Sequence, residues 1–221
     1  MQRKITLNLH MFKLNWKLAW AERSFRLQSI CTLVLLIPVL AFVSPFFNFI
    51  QARSGYRLND WVLNQVPAYD MSVPVFLLIY SVVFLAIVYL SVHPLLFLKC
   101  LQAYTLLFVV RVICMFLIVL EPDRALIPLV DPFVGKLFYQ GSVITKDLFF
   151  SGHVSTMCLL CFTMPWRPLK YYFIVATVLV AVFVLVQHVH YAVDVAAAPL
   201  FAFLCYRMVN KSKVKAQVRQ K

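Results

Sequence analysis

Residues 171–208 read YYFIVATVLVAVFVLVQHVHYAVDVAAAPLFAFLCYRM, and no Asp, Glu, Lys or Arg interrupts them before Asp194. A bilayer-spanning helix needs about 20 apolar residues, so the stretch holds two span lengths. No Gly or Pro marks the junction between them, and polarity first appears at Gln187-His188, where we place the turn. The run is continuous rather than alternating, which argues for a helical hairpin and against a membrane β-barrel.

Outward from this hairpin, further apolar runs lie near 29–50, 72–92, 95–120 and 147–164. The expected architecture is therefore an all-α polytopic membrane protein, a bundle of six transmembrane helices. Composition agrees. Of 221 residues, 63% are hydrophobic and only 13% charged, with a mean hydropathy of +0.85. A soluble domain of this size needs more charge to cover its surface. The first run is too long for the apolar core of a secretory signal, which is roughly 7–15 residues, and no small-residue cleavage site follows Ser44-Pro45. We read it as a retained span. No repeat or linker divides the chain, which gives a 29–208 catalytic membrane domain, an amphipathic interfacial segment at 1–28 and a basic tail at 209–221.

Charge sets the expected orientation. Arg3, Lys4, Lys13, Lys17, Arg23 and Arg26 precede the first span, and Arg207, Lys211, Lys213, Lys215, Arg219 and Lys221 close the chain. Positive flanks stay in the cytoplasm, so both termini are expected inside, together with the short basic link Trp166–Lys170. The 51–71 and 121–146 loops hold Asp60, Asp70, Glu121, Asp123 and Asp131, and read as exoplasmic. The net charge of +13 is concentrated beside membrane spans rather than interleaved on a folded face. It fits anionic-lipid contact and argues against a nucleic-acid partner. At the N-terminus, Leu9, Phe12, Trp16 and Trp20 fall at helical spacing opposite His10, Lys13 and Lys17, the pattern of an interfacial helix.

Ionisable and polar groups inside a bilayer are costly, so those that persist are where function is sought. They are Arg111, Asp147, Ser151, His153, His188, His190 and Asp194. With six spans, all of them fall toward the exoplasmic leaflet. His190 and Asp194 are four apart, so on a helix they share a face, and the carboxylate can orient one imidazole nitrogen and raise the basicity of the other. Such a histidine can attack phosphorus. Ser151-Gly152-His153 would open a helix whose free N–H groups and dipole favour an anion. Protonated His153 can supply a leaving oxygen with its proton, and the planar fork of Arg111 suits a phosphate oxygen. Each also has a structural reading, as a satisfied buried polar group or, for Arg111, a partner of Asp147. On an ideal helix His188 points about 160° away from His190, so it is read as supporting or packing. His10 and His93 have no partners and no assigned role. The six cysteines fall inside the expected spans, where a thiol packs as a small apolar group, and Cys158-x-x-Cys161 lacks the second pair of a zinc site.

These motifs resemble those of a known family. Asp147-x3-Ser151-Gly152-His153-Val154 is similar to the D-x3-S-G-H-[T/V] motif of sphingomyelin synthases, and His188-Val189-His190-Tyr191-Ala192-Val193-Asp194-Val195 to their H-x-H-Y-[ST]-x-D-V motif. These enzymes are a branch of the type 2 phosphatidic acid phosphatase superfamily, which shares a six-helix core. The resemblance covers roughly residues 95–208 and puts Arg111 at the position of a family arginine. It implies His190 as nucleophile, Asp194 as its orienting carboxylate and His153 as acid and then base, with Arg111, Asp147, Ser151 and Gly152 around the substrate phosphate. The sequence departs from the family where Thr145 and Lys146 replace a Cys-Gly pair and Ala192 replaces a hydroxyl residue. The paired arginines early in the third-span motif are also missing, as is the phosphatases' K-x6-R-P signature. The phosphate clamp is thus incomplete, and Lys146 or Arg124 is a candidate to fill it.

The implied activity is phosphotransfer through a phosphohistidine, from a phospholipid donor to a lipid alcohol such as a ceramide or diradylglycerol, with no metal or cofactor expected. The alternative within the superfamily is a phosphatase using water as acceptor. A transporter predicts polar residues spread through the depth of several spans, and a non-catalytic scaffold predicts loss of a histidine from the triad. Neither matches the sequence.

Overall fold

A computed structural model describes residues 2–129 and 144–211, with side chains from residue 11 onward. Asp131 and the rest of 130–143, and the tail from 212, lie outside the described residues. The chain is helical: α1 (Gln2–Ala21), α2 (Arg23–Ala52), a 3-10 turn (Leu63–Gln65), α3 (Ser72–Ser91), α4 (Pro94–Leu117), α5 (Gly152–Thr163), α6 (Arg167–Val186) and α7 (Ala192–Lys211). The described residues contain no strand, only an isolated bridge between Tyr56 and Leu120.

Five of these helices, α2, α3, α4, α6 and α7, are long and apolar enough to cross a membrane, which marks an integral membrane protein. Large apolar side chains such as Val34, Ile37, Leu77, Phe84 and Val178 point outward, as expected where the solvent is hydrocarbon. The fourth expected run behaves differently. It forms only the 12-residue helix α5, about 18 Å long against a hydrocarbon core of about 30 Å. Residues 144–148 before it are not helical, because outside groups hold their backbone. Gln51 Oε1 accepts from the Thr145 and Lys146 amides at 3.1 and 3.2 Å, and Arg111 Nε donates to the Phe150 carbonyl at 2.8 Å. Irregular backbone at membrane depth survives where protein groups satisfy it in this way.

Helix α5 sits at the centre and packs on α3, α4, α6 and α7. It is buried on most of its circumference through Val154, Met157, Cys158, Leu159 and Cys161, the signature of a core helix rather than a lipid-facing one. Ala198 and Ala202 of α7, fully buried at helical spacing, let it lie close to its neighbours.

The first helix is also attached to the bundle. The Trp16 stripe docks on the bundle. Trp16 Nε1 donates to the Ser91 carbonyl at 2.7 Å, Asn15 Nδ2 donates to Val92 O at 2.9 Å, and the Trp16 ring meets Phe25 and Phe97 edge-on. Met11, Leu14 and Leu18 form a second apolar stripe that stays exposed.

Connectivity brings the C-termini of α2, α4 and α6 and the N-termini of α3, α5 and α7 to one end. Asp60, Asp70, Glu121, Asp123, Asp147 and Asp194 gather there. Arg23, Arg26, Lys99, Arg167, Lys170 and Arg207 lie toward the other end.

Candidate active site

The acidic end is built around the α6–α7 turn. Helix α6 stops at Val186 and α7 begins at Ala192, so the turn falls at Gln187-His188 as the sequence indicates. The expectation that His190 and Asp194 share a helix face is corrected. His190 lies ahead of the helix, and only Asp194 is in its first turn.

Asp194 is fully buried and caps α7. Its Oδ2 accepts from the Tyr191 amide at 3.0 Å, the backward reach of a capping box. The same Oδ2 is 3.6 Å from His190 Nδ1, too long for a hydrogen bond but close enough for charge to be felt. Among the described residues, His190 Nδ1 and Asp194 Oδ1 have no hydrogen-bond partner. An unsatisfied buried polar atom costs about 1–3 kcal/mol. Finding two on adjacent groups marks a place where packing alone does not choose the residues.

Facing His190 across the site is His153, from the first turn of α5, with ring centroids 6.2 Å apart and planes at 65°. Two motifs separated by a whole helical hairpin in sequence thus bring their imidazoles together. Ser151, fully buried, is the N-cap of α5. Its Oγ accepts from the Val154 amide at 3.4 Å, and its own amide donates to the Asp194 carbonyl at 3.2 Å. The two helix N-termini are therefore fastened to each other. The amide-rich start of α5 lies beside the histidine pair, which suits an anion.

Arg111, buried on the last third of α4, completes the group. Besides its bond to Phe150 O, its Nη2 pairs with Asp147 Oδ1. Gly152 lies against it. A Cβ there would stand 2.7 Å from Arg111 Cζ, so any larger residue would displace the guanidinium. All seven candidate polar groups thus fall at one end of the bundle, with Arg111, Asp147, Ser151, Gly152, His153, His190 and Asp194 in one connected cluster. His188 stands apart, tied to the loops.

Several further residues hold this cluster in place. Gln187 is fully buried. Its side chain accepts from the Met71 amide at 3.1 Å and donates to Ser72 Oγ at 2.9 Å. Asp60 accepts from the Ala192 amide at 2.6 Å and from Val62 at 2.8 Å, and so supports the start of α7. Lys146, a candidate for the phosphate clamp, donates instead to Glu121 Oε1 at 2.8 Å and to Arg53 O at 2.6 Å. Hydrogen bonding from Lys146, and then from the Gly55 amide, holds the Glu121 carboxyl below its ordinary value. At Asp123 burial pushes the carboxyl up, but hydrogen bonds from His188 and Ala125 outweigh it and the net direction is down. The only sequence signal for these residues is polarity at the ends of apolar runs, which does not distinguish a brace from a solvated loop.

Fold and site together define a membrane-embedded helical protein with paired histidines at a helix N-terminus. Residues 146–212 match the model of the PAP2 superfamily C-terminal domain. That segment contains Ser151-Gly152-His153 and His190 through Asp194 but is less than half of the chain. The match supports the type 2 phosphatidic acid phosphatase superfamily, and with it a lipid phosphatase or phosphotransferase type of enzyme acting at a membrane. No curated protein matches the chain.

Proposed function

We propose that the chain is a membrane lipid phosphotransferase of the sphingomyelin synthase-like type, working through a phosphohistidine. The observation that carries this reading is the His153–His190 pair, held 6.2 Å apart between the N-termini of α5 and α7 and backed by buried Asp194.

With Nδ1 turned toward Asp194, Nε2 of His190 is the nucleophile. It attacks the phosphorus of a phospholipid donor and a P–N bond forms. The bond from phosphorus to the glyceride oxygen breaks, and that oxygen takes a proton from His153. His153, now neutral, removes the proton from the hydroxyl of a lipid alcohol, ceramide-like or diradylglycerol. That oxygen attacks phosphorus and the P–N bond breaks. Arg111 and the free amides of α5 stabilise the non-bridging oxygens, a contribution that is largest when their positions are set in advance. With water as acceptor the same steps release a phospho-alcohol, or, from a phosphatidate donor, inorganic phosphate, and so make a hydrolase. The positive-inside rule supports a cytoplasmic basic end and a site toward the exoplasmic leaflet.

The test is lipid mass spectrometry on the purified protein in micelles with labelled phosphatidylcholine, phosphatidylethanolamine or phosphatidylinositol, with and without ceramide, beside His190→Ala. A new phospholipid plus diacylglycerol that depends on ceramide supports the transferase. Free phosphate or phospho-alcohol formed without an acceptor makes the protein a hydrolase. No turnover of any lipid rejects the catalytic reading.

A further inference from the structure

We propose that His188 is a positioning residue that works in its doubly protonated form, as a cationic pin holding two loop segments against the turn that presents His190. Its ring is buried and both nitrogens are engaged. Nδ1 lies 2.9 Å from Asp123 Oδ1 on the 118–129 segment, and Nε2 lies 2.9 Å from the Val66 carbonyl on the 53–71 segment. A neutral imidazole offers one donor and one acceptor. A backbone carbonyl can only accept. Asp123 Oδ1 also receives the Ala125 amide at 2.8 Å, so it too is acting as an acceptor. Two acceptors require two N–H groups, and the ring that has them is the imidazolium. A neutral ring could satisfy both contacts only with the proton on Asp123, and an aspartate, with an ordinary value of about 3.9, is ionised at neutral pH.

Most other charged groups on these segments have partners of their own, including Arg53 on the Phe116 carbonyl and Asp70 on the Ser72 amide. On the 53–71 segment are Arg57, bonded to the Pro122 carbonyl, and Asp60, occupied by backbone amides. On the 118–129 segment are Glu121, paired with Lys146, and Arg124 next to Asp123. On the turn and in α7 are His190 and Asp194. The backbone of His188 has φ 57°, the left-handed region that few non-glycine residues occupy. The ring's two bonds hold the turn in that conformation, and His190 follows two residues later. Loss of one ring proton sets two acceptors against each other, and one loop must release.

The effect on turnover rests on the proposed role of His190, whereas the protonation of the ring does not. The experiment is nitrogen NMR of the full-length protein, 15N-labelled at histidine, in micelles at neutral pH, with the ring assigned through its own backbone. It is run beside Asp123→Asn and beside pH profiles of lipid turnover for both proteins. An asparagine that turns its amide nitrogen to Nδ1 can donate there, so the variant satisfies a neutral ring while giving up the Ala125 contact. The expected result is a wild-type His188 with both nitrogens protonated and a variant whose Nδ1 is bare. In turnover, both proteins should lose activity on the alkaline side because His153 must carry its proton, and the wild-type limb should be the steeper because His188 must keep its proton as well. A wild-type ring with one bare nitrogen overturns the proposal, and so does a variant profile that is scaled down uniformly with its shape unchanged. A doubly protonated ring in a protein that turns over no lipid upholds the pin and rejects the proposed reaction.

Discussion

The guanidinium of Arg111 rests on the α-carbon of Gly152, so closely that a methyl group there would stand 2.7 Å from Cζ. The contact joins α4 to the first residue of α5, and it leaves the arginine fork held between the Phe150 carbonyl and Asp147. Gly152→Ala should therefore push Arg111 away from the start of α5. Overpacking of this kind costs about 1–3 kcal/mol, and misplacing a catalytic group by about 1 Å can cost about 100-fold in rate. We expect lipid turnover to fall by roughly that factor while the protein still inserts and purifies as a folded species. Parallel turnover and thermal-melting measurements in micelles check this. Unchanged turnover would remove Arg111 from the site.

His190→Ala and His153→Ala should each reduce turnover by at least the roughly 10²–10⁴-fold attributed to a positioned acid or base. The larger loss is expected at His190, because no covalent intermediate can form without it. Rapid quenching with phosphorus-labelled donor should trap an acid-labile protein phosphate in the wild type and none in His190→Ala. Label retained by that variant would place the nucleophile elsewhere.

Asp194→Asn separates the two roles of this residue. The amide oxygen can still accept from the Tyr191 amide and keep the cap of α7, a contact worth roughly 1 kcal/mol, but the charge beside His190 Nδ1 is lost. Melting should change little while turnover falls strongly. A loss of stability with turnover per folded molecule unchanged would make Asp194 a helix cap only.

Glu121 gives an acid dependence of stability. Its folded-state carboxyl is depressed, chiefly by the Lys146 hydrogen bond. The contribution is therefore present in full above the unfolded-state value and lost as pH falls through the folded one. The melting temperature of the wild type should drop on acidification more than that of Glu121→Gln. Equal drops would show that the Lys146 pair is not formed.

The exposed stripe Met11, Leu14 and Leu18, flanked by Lys13 and Lys17, should make α1 a contact for anionic lipid once Trp16 has docked it. Lys13→Glu with Lys17→Glu should lower the number of anionic lipids retained in native mass spectrometry, and Trp16→Ala should expose α1 to protease. Unaltered retention in the first variant would deny the contact.

Much of the fold could be read from composition and periodicity, because a bilayer imposes one strong rule: a span is long, apolar and helical. The runs that became α2, α3, α4, α6 and α7 follow it, and so does the turn at Gln187-His188. The fourth run does not, because hydropathy cannot distinguish a helix surrounded by lipid from one surrounded by protein. Helix α5 is short because Gln51 and Arg111, distant in sequence, hold the chain before it in a non-helical form.

For the site the division falls in the same place. The sequence by itself determined which chemical groups exist and that they gather toward one end, since an ionisable residue in an apolar run is rarely accidental. Only the tertiary structure decided their mutual geometry. It placed His190 ahead of α7 rather than on it, made Asp194 a cap as well as a neighbour of the imidazole, tied Lys146 to Glu121, and gave His188 two acceptors. Each of these depends on a hydrogen bond between segments many residues apart. Such bonds are short-ranged and directional, so they leave no periodic trace in the sequence and form only after the helices have packed.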